Sequence, residues 1–324
     1  MAEERFLLTG ALGCIGAWVV RNLIQADIPT TILDLGSNPH RMQLIMSDAE
    51  IAQVRFITGD ITDLATVERA FGESGATRII HLAGLQVPFC KADPPLGARV
   101  NVVGTVNIFE AARRAGLPRV VYASSIAVYG LAEEYPGGPL AHDAPMLPRT
   151  HYGVYKQANE GTARIYWLDD GLSSIGLRPY TVYGPGRDQG MTSTPTKAML
   201  AAALGQPYHI SFGGRTDMQF ADDVARAFIR AAQAPFEGAE VFNLRGSVVS
   251  MAEIVAAIEA VEPAMRDQIT FEAAGLPFPV EMDDTPATAA LGPLPRTPLA
   301  EGVARTIEIF KQALAAQRLQ PVVN

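Results

Sequence analysis

Three glycines spaced three residues apart follow the first apolar run of the chain, and they constrain its fold more than any other feature. The run Phe6–Thr9 precedes Gly10, Gly13 and Gly16, and an amphipathic stretch follows. Glycines at such a strand–helix junction allow a tight turn and let the backbone approach a pyrophosphate closely. The helix that begins there presents unpaired N–H groups to phosphate. The junction therefore predicts a dinucleotide site at the first strand.

Short apolar runs alternate with longer amphipathic stretches up to about residue 180. The predicted strands are at residues 6–9, 31–33, 54–57, 78–81, 119–123 and 174–178. The predicted helices are at residues 16–26, 64–71, 103–115 and 151–169. Because each strand is followed by a helical crossover, the pattern predicts an α/β fold with a Rossmann-type, doubly wound parallel sheet.

The alternation weakens after residue 183, where proline, glycine and threonine become frequent. Further helices are predicted at residues 195–204, 221–232, 252–260 and 299–314. Ligands of open α/β sheets bind at the carboxyl ends of the strands, so a smaller lobe over that edge would contact the substrate. We expect an NAD-binding domain at residues 1–183 and a substrate-binding lobe at 184–324, with segments that interleave.

Composition and charge exclude several classes of partner. The net charge is −8 and no basic cluster interrupts it, which argues against nucleic acid and anionic membranes. The two cysteines, Cys14 and Cys90, exclude a disulfide framework, and with the five histidines they show no metal-ligand spacing. We expect no leader segment, and the sequence has no uncharged stretch approaching the about 18 to 20 residues of a membrane span. We expect a cytoplasmic protein without a metal.

Acidic residues follow the second and third predicted strands. Asp34 ends the second strand, where a carboxylate accepts hydrogen bonds from ribose hydroxyls and repels a 2′-phosphate, which favours NAD over NADP. Arg41 keeps the NADP alternative open. Asp60 and Ile61 are placed to contact the adenine, although Asp60 could equally cap the helix that follows.

A tyrosine and a lysine four residues apart begin the helix after the fifth strand. Tyr152 and Lys156 would share one face of that helix. A cation about 4 Å from a phenolate is worth about 4 kcal/mol at an effective dielectric near 20, which would lower the tyrosine pKa by about 3. Tyr152 would then act as a general acid–base near neutral pH, while Lys156 could also hold the nicotinamide ribose. Ser125, just past the fifth strand, would orient the substrate oxygen.

These features occur in the order typical of the extended short-chain dehydrogenase/reductase family, and the chain resembles its NAD-dependent epimerase/dehydratase branch from residue 5 to about 235. The resemblance implies that Tyr152 is the proton acceptor, that Ser125 contacts the substrate hydroxyl and that Asn101 supports the active-site helix. It implies NAD as the cofactor, and the candidate cofactor-binding residues are Gly10, Gly13, Cys14, Ile15, Gly16, Asp34, Asp60, Ile61, Leu82, Ala83, Gly84, Asn101, Ala123, Tyr152, Lys156, Tyr180 and Val182. The candidate substrate residues are Gln86, Ser125, Ile126, Thr181 and Arg215.

Residues 81–86 and 124–130 most resemble the UDP-galactose 4-epimerase group. Dehydratases of the family carry an acidic residue before the Val-Tyr-Gly segment, where this chain has Ile126 and Ala127. A dehydratase is therefore disfavoured, because elimination of water needs an additional acid or base.

Two positions depart from the nucleotide-sugar epimerases that the chain resembles. Thr216 stands where an arginine grips the nucleotide diphosphate, with Arg215 one place earlier, and Thr181 stands where the galactose epimerases have asparagine. A bidentate arginine–phosphate contact is hard to replace, so a smaller substrate without a nucleotide is an alternative.

The combined features predict an NAD-dependent oxidoreductase or epimerase that acts on a secondary hydroxyl of a sugar. The alternatives are a net dehydrogenase of a free sugar or sugar acid, and a dinucleotide sensor without turnover. The expected partners are a small-molecule sugar and a second copy of the chain. The apolar faces of residues 103–115 and 155–167 would form that homodimer, unless they pack on their own sheet instead.

Overall fold

The structure, a computed structural model, describes residues 4–320. Its central sheet has seven parallel strands in the order β10-β6-β5-β4-β1-β2-β3. The strands are β1 (Phe6–Thr9), β2 (Thr30–Asp34), β3 (Arg55–Thr58), β4 (Arg78–His81), β5 (Arg119–Ala123), β6 (Ser173–Arg178), β7 (Thr181–Tyr183), β8 (Tyr208–Ile210), β9 (Arg215–Phe220), β10 (Ala239–Asn243), β11 (Ser247–Ser250) and β12 (Ile269–Phe271). The predicted Rossmann-type α/β fold is confirmed.

Helices cover both faces of this sheet. They are α1 (Cys14–Gln25), α2 (His40–Gln43), α3 (Asp48–Ile51), α4 (Leu64–Ser74), α5 (Val87–Ala92), α6 (Pro94–Ala98), α7 (Gly104–Arg114), α8 (His151–Asp170), α9 (Thr194–Leu204), α10 (Ala221–Gln233), α11 (Met251–Val261), α12 (Thr285–Leu291) and α13 (Leu299–Ala315). A π-helical turn, Arg99–Val103, leads into α7. Short 3₁₀ turns lie at Ile126–Val128, Ala132–Glu134 and Pro263–Met265.

Alternate residues of β1 enter different cores, as the two-residue period of a strand requires. Leu8 packs with Trp18 of α1 and Phe228 of α10 on one face. Leu7 packs with Phe71 of α4 and Phe109 of α7 on the other. Burial on both faces explains why the strand is continuously apolar.

The seventh strand of the central sheet comes from residues after the predicted boundary at residue 183. After α9 and β9 the chain returns through α10, and β10 pairs with β6 at the edge of the sheet. The remaining strands form a three-stranded sheet, β11-β9-β7, and a two-stranded sheet, β12-β8.

Between residues 4 and 320, no helix is long and apolar enough to span a bilayer. Over the same range, no group of three or more His, Cys, Asp and Glu side chains could hold a metal ion.

Candidate active site

A cavity of about 530 Å³ opens at the carboxyl ends of the central strands. Residues that directly follow β1, β4 and β6 line it, together with the last residues of β2 and β5. The segment after β7 and the residues Leu276 and Phe278 complete its walls. Every predicted site residue lines this cavity except Asn101 and Arg215.

The glycine loop forms the deep end of the cavity. Gly10 has φ +70°, and a Cβ there would lie 2.4 Å from the backbone nitrogen of Ala83. A Cβ on Gly16 would lie 2.5 Å from the Cα of Ala11. Gly13 caps α1 without a side chain, so the first-turn amides face the cavity with no side-chain acceptor. This close-packed backbone and its open N–H groups fit a pyrophosphate.

Burial raises the pKa of two side chains at this part of the cavity, Cys14 and Asp34. The pKa of the Cys14 thiol rises to about 12, so it stays neutral, and its Sγ donates to the carbonyl of Pro185 at 3.8 Å. Asp34 accepts hydrogen bonds from the N–H groups of Leu12 (3.2 Å) and Leu35 (2.9 Å) at the end of β2. Burial raises the pKa of Asp34, and these backbone hydrogen bonds oppose that rise.

Arg41 lies beside the adenosine end but is already paired. Its Nε lies 3.1 Å from both carboxylate oxygens of Asp188, and its terminal nitrogens donate to Asp188 (2.9 Å) and to the carbonyl of Leu12 (2.8 Å). Because the guanidinium is held by a carboxylate, it gives no support to the NADP alternative that the sequence left open.

The three predicted catalytic side chains, Ser125, Tyr152 and Lys156, meet at one wall of the cavity, here called the catalytic wall. Tyr152 and Lys156 lie in the first turns of α8, which Thr150 caps by accepting the N–H of Gly153 at 3.0 Å. Ser125, just after β5, forms a hydrogen bond with the Tyr152 hydroxyl. Lys156 Nζ lies 5.6 Å from the centre of the Tyr152 ring.

The expected lowering of the tyrosine pKa by lysine is wrong. Burial raises the pKa of Tyr152, and the Ser125 hydrogen bond and the Arg187 charge offset this only in part. Lys156 donates instead to the carbonyl of Ala123 at 2.7 Å, and burial lowers its own pKa to about 8. Desolvation has the largest effect on the pKa of both Tyr152 and Lys156, and their helical spacing does not reveal it.

Asn101 lies behind the cavity wall, within the π-helical turn. Its Nδ2 donates to the carbonyls of Gly97 (3.0 Å) and Leu85 (3.2 Å), and its Oδ1 has no partner. A Cβ on Gly84 would lie 2.6 Å from that oxygen and 3.5 Å from Lys156 Nζ. Asn101 therefore does not line the cavity, and its implied role in supporting α8 stays a prediction.

The predicted substrate residues divide into two groups. Gln86, Ile126 and Thr181 line the cavity, and Thr181 Oγ1 is 2.9 Å from Thr216 Oγ1 in a buried pair. Arg215 lies outside the cavity, with its side chain 59% exposed and 3.9 Å from Glu281. Neither Thr216 nor Arg215 therefore presents a cation to a nucleotide diphosphate.

Comparison with known proteins decides the family. The sequence matches the model of the NAD-dependent epimerase/dehydratase family over residues 6–244. It is 35% identical to a UDP-glucose 4-epimerase of Mycolicibacterium smegmatis over 95% of this chain and 98% of that one. The chain belongs to the NAD-dependent epimerase/dehydratase family.

Solved structures of similar fold agree with this assignment. MoeE5, in complex with UDP-glucose and NAD, has a TM-score of 0.80 at 30% identity, covering 96% of this chain and 99% of its own. A partial-consensus L-threonine 3-dehydrogenase has a TM-score of 0.84 at 25% identity, covering 95% and 99%. This epimerase/dehydratase-family protein is an NAD-dependent enzyme of the extended short-chain dehydrogenase/reductase type.

Sequence reasoning missed Arg187, which also lines the cavity of this enzyme. Its terminal nitrogen donates to Thr192 Oγ1 at 3.0 Å, while its Nε is shielded from solvent and has no partner. Its charge lowers the pKa of both Tyr152 and Cys14, so it lies within electrostatic reach of the catalytic wall and the glycine loop. The sequence feature that could have indicated Arg187 is its position directly after Gly184-Pro185-Gly186, close to the carboxyl edge of the sheet.

A buried ion pair supports the catalytic wall from behind. Glu160, one turn after Lys156 on α8, accepts from Arg178 Nε at 2.8 Å and from its terminal nitrogen at 2.6 Å. Ser124, next to Ser125, also donates to Glu160. Burial acts to lower the pKa of Arg178, but the hydrogen bonds and charge of Glu160 outweigh it and the net change is upward.

Proposed function

We propose that this enzyme epimerises a sugar by oxidising one secondary hydroxyl and reducing the resulting ketone from its other face. The observation that carries the proposal is the meeting of Ser125, Tyr152 and Lys156 at one wall of the cavity that begins at the glycine loop. Bound NAD supplies the hydride acceptor and donor at its nicotinamide ring.

The side chains of this chain have separate parts in the proposed reaction. Tyr152 takes the proton of the substrate hydroxyl and later returns it to the ketone oxygen. Ser125, which lies within hydrogen-bond reach of Tyr152, would donate its one hydroxyl proton to that substrate oxygen. Lys156 remains mostly protonated at pH 7, because its pKa is about 8, and its ammonium would donate to the nicotinamide ribose. Orientation supplies most of the rate, since hydride transfer requires the reacting atoms within about 3 to 3.5 Å.

A second candidate is net oxidation of a free sugar or sugar acid with release of NADH. Thr216 and Arg215 favour it, since neither provides the cation that a nucleotide diphosphate needs. The structural similarity to an L-threonine 3-dehydrogenase supports it as well. Both candidates use the same catalytic wall and differ in whether the ketone leaves.

The test is an NADH-absorbance screen of free sugars, sugar acids and UDP-sugars, with product analysis for substrates that give no absorbance. An epimerase converts substrate without net NADH, whereas a dehydrogenase forms NADH stoichiometrically. Tyr152→Phe should lower turnover at least about 100-fold and leave NAD affinity unchanged. Tyr155→Phe is the matched control, because Tyr155 lies on the same helix as Tyr152 but its hydroxyl donates to the carbonyl of Pro94 in α6. Unchanged behaviour of Tyr152→Phe would contradict both candidates and favour a sensor.

We also propose that two copies associate through α8 and the turn before α7. Val103, Val154, Ile165 and Leu168 are large apolar side chains exposed on these elements. Light scattering at micromolar concentration should give twice the chain mass. Replacing Ile165 and Leu168 by lysine should then give monomers.

A further inference from the structure

We propose that Arg187 binds a carboxylate of the substrate, so that the preferred substrates are sugar acids without a nucleotide. The inference rests on the proposed function, because it names the substrate class for the same catalytic wall. It assigns Arg187 as a specificity-determining residue.

Three cationic side chains line the cavity in the described part of the chain, and they differ in their partners. Arg41 is held by Asp188, and Lys156 donates to the carbonyl of Ala123. Arg187 has a hydroxyl partner, Thr192, at one terminal nitrogen, whereas its Nε is shielded and unpartnered. Shielded polar groups in native proteins are almost always hydrogen-bonded, so this guanidinium edge is expected to meet a ligand.

A second unsatisfied polar atom faces the same region. Gln86 Oε1 is buried without a partner. Gly190 has φ +93°, and a Cβ there would lie 2.2 Å from Gln86 Oε1 and 3.3 Å from a terminal nitrogen of Arg187. Gly190 therefore lets both side chains approach the same point. A planar guanidinium there matches a carboxylate, and the nearby amide can bind an adjacent hydroxyl.

The position of Arg187 distinguishes a substrate carboxylate from a cofactor phosphate. The pyrophosphate already has the uncapped first turn of α1 after Gly13. Arg187 contacts Thr192 and approaches Gln86, which follows β4, and its charge acts on the catalytic Tyr152. The other predicted anion contact, Arg215, lies outside the cavity and is close to Glu281. The cationic charge of Arg187 is therefore within reach of the catalytic Tyr152, whereas Arg215 is not in the cavity.

The experiment compares matched ligands on the NAD-bound enzyme and on an Arg187→Met variant. D-Galacturonate with D-galactose, and D-glucuronate with D-glucose, differ only in a carboxylate against a hydroxymethyl group, and D-gluconate and UDP-glucose complete the set. Calorimetry measures binding and NADH absorbance with product analysis measures turnover. We expect at least one carboxylate to bind more tightly than its neutral partner and than UDP-glucose. Arg187→Met should weaken that carboxylate about 10- to 100-fold.

Three controls separate the alternatives. NAD affinity of Arg187→Met should stay within about 2-fold of the parent, because its contact is with the substrate. Arg164→Met, which removes an exposed arginine of α8, should change the affinity for neither NAD nor the carboxylate. Thr192→Val should weaken the carboxylate by a smaller factor, because it removes only the hydroxyl that anchors Arg187.

Each other outcome overturns the inference. Loss of NAD affinity in Arg187→Met with unchanged carboxylate binding would assign Arg187 to the cofactor. Tighter binding of neutral sugars or UDP-glucose, or no binding of any carboxylate in the set, would remove the proposed substrate class. Failure of the proposed function has a different signature, in which Tyr152→Phe turns over like the parent while Arg187→Met still loses the carboxylate.

Discussion

Removing the charge of Glu160 should destabilise the enzyme by about 3–5 kcal/mol, because it leaves the Arg178 guanidinium buried without a counter-charge. The side chains of this pair are 5% and 4% exposed, respectively. Glu160 accepts two hydrogen bonds from Arg178 and one from Ser124. Glu160→Gln preserves the shape of the side chain and removes its charge. The loss of stability therefore comes from the uncompensated Arg178 charge and not from a cavity.

The matched control is an exposed ion pair. Arg55 and Glu73 lie 3.1 Å apart with side chains 53% and 44% exposed, and Glu73→Gln should cost at most about 1 kcal/mol. Urea denaturation of NAD-free protein, followed by both far-ultraviolet circular dichroism and tryptophan fluorescence, gives the free energies of unfolding. NAD must be absent because ligand binding adds its own stabilisation, and the two signals must coincide for a two-state analysis.

A double-mutant cycle tests the reasoning behind the magnitude. Arg178→Met alone leaves the Glu160 carboxylate buried, whereas Glu160→Gln with Arg178→Met leaves no buried charge. The double variant should therefore be more stable than the sum of the single losses predicts, by more than about 1 kcal/mol. Additive losses, or a Glu160→Gln loss no larger than that of Glu73→Gln, would refute the argument that an uncompensated charge dominates.

Three further predictions concern residues that line the cavity. Lys156→Met should abolish turnover yet stabilise the NAD-free protein at pH 7 by up to about 3 kcal/mol, because burial lowers the lysine pKa from 10.5 to about 8. The folded protein loses this proton near pH 8 and the unfolded chain near 10.5, so the advantage should shrink as pH rises between them, as urea titrations at several pH values will measure. Asp34→Asn should weaken NAD about 10-fold or more without gain of NADP binding, since Arg41 is paired with Asp188; calorimetry with both dinucleotides checks this. Gly10→Ala should abolish NAD binding in a fluorescence titration, because its φ of +70° and a Cβ 2.4 Å from neighbouring backbone exclude a side chain.

The sequence predicted the parts of the fold that repeat a strong local pattern. β1 is buried throughout and β4 in all but its first residue, and both were predicted with their observed bounds. β10 was missed because Ala239–Asn243 is only partly buried at the edge of the sheet and shows no apolar run. Strand pairing between segments about 60 residues apart, such as β10 with β6, is a tertiary choice that local periodicity does not encode.

The sequence predicted which residues line the candidate site better than it predicted their hydrogen bonds and pKa values. Helical spacing and strand ends were enough to bring Tyr152, Lys156 and Ser125 to one wall. The pKa of Tyr152 could not be derived in this way, because burial and the hydrogen bond from Lys156 to Ala123 are properties of the packed structure. Opposite-charge spacing along a helix gives the sign of one interaction and leaves out desolvation, which has the opposite sign for both groups.

The two arginines near the second lobe illustrate why substrate residues are harder to predict than cofactor residues. A guanidinium lies several rotatable bonds from its backbone, so its direction depends on its partners. Arg215 matched a family position approximately, yet it lies outside the cavity, near Glu281. Arg187 matched none, yet Thr192 and the glycine at residue 190 hold it against the cavity. Cofactor contacts come largely from backbone amides, whose direction follows once a strand and a helix are placed. Of the three cavity cations, Arg41 is paired with Asp188 and Lys156 donates to a backbone carbonyl, which is why we propose Arg187 as the residue that determines substrate specificity.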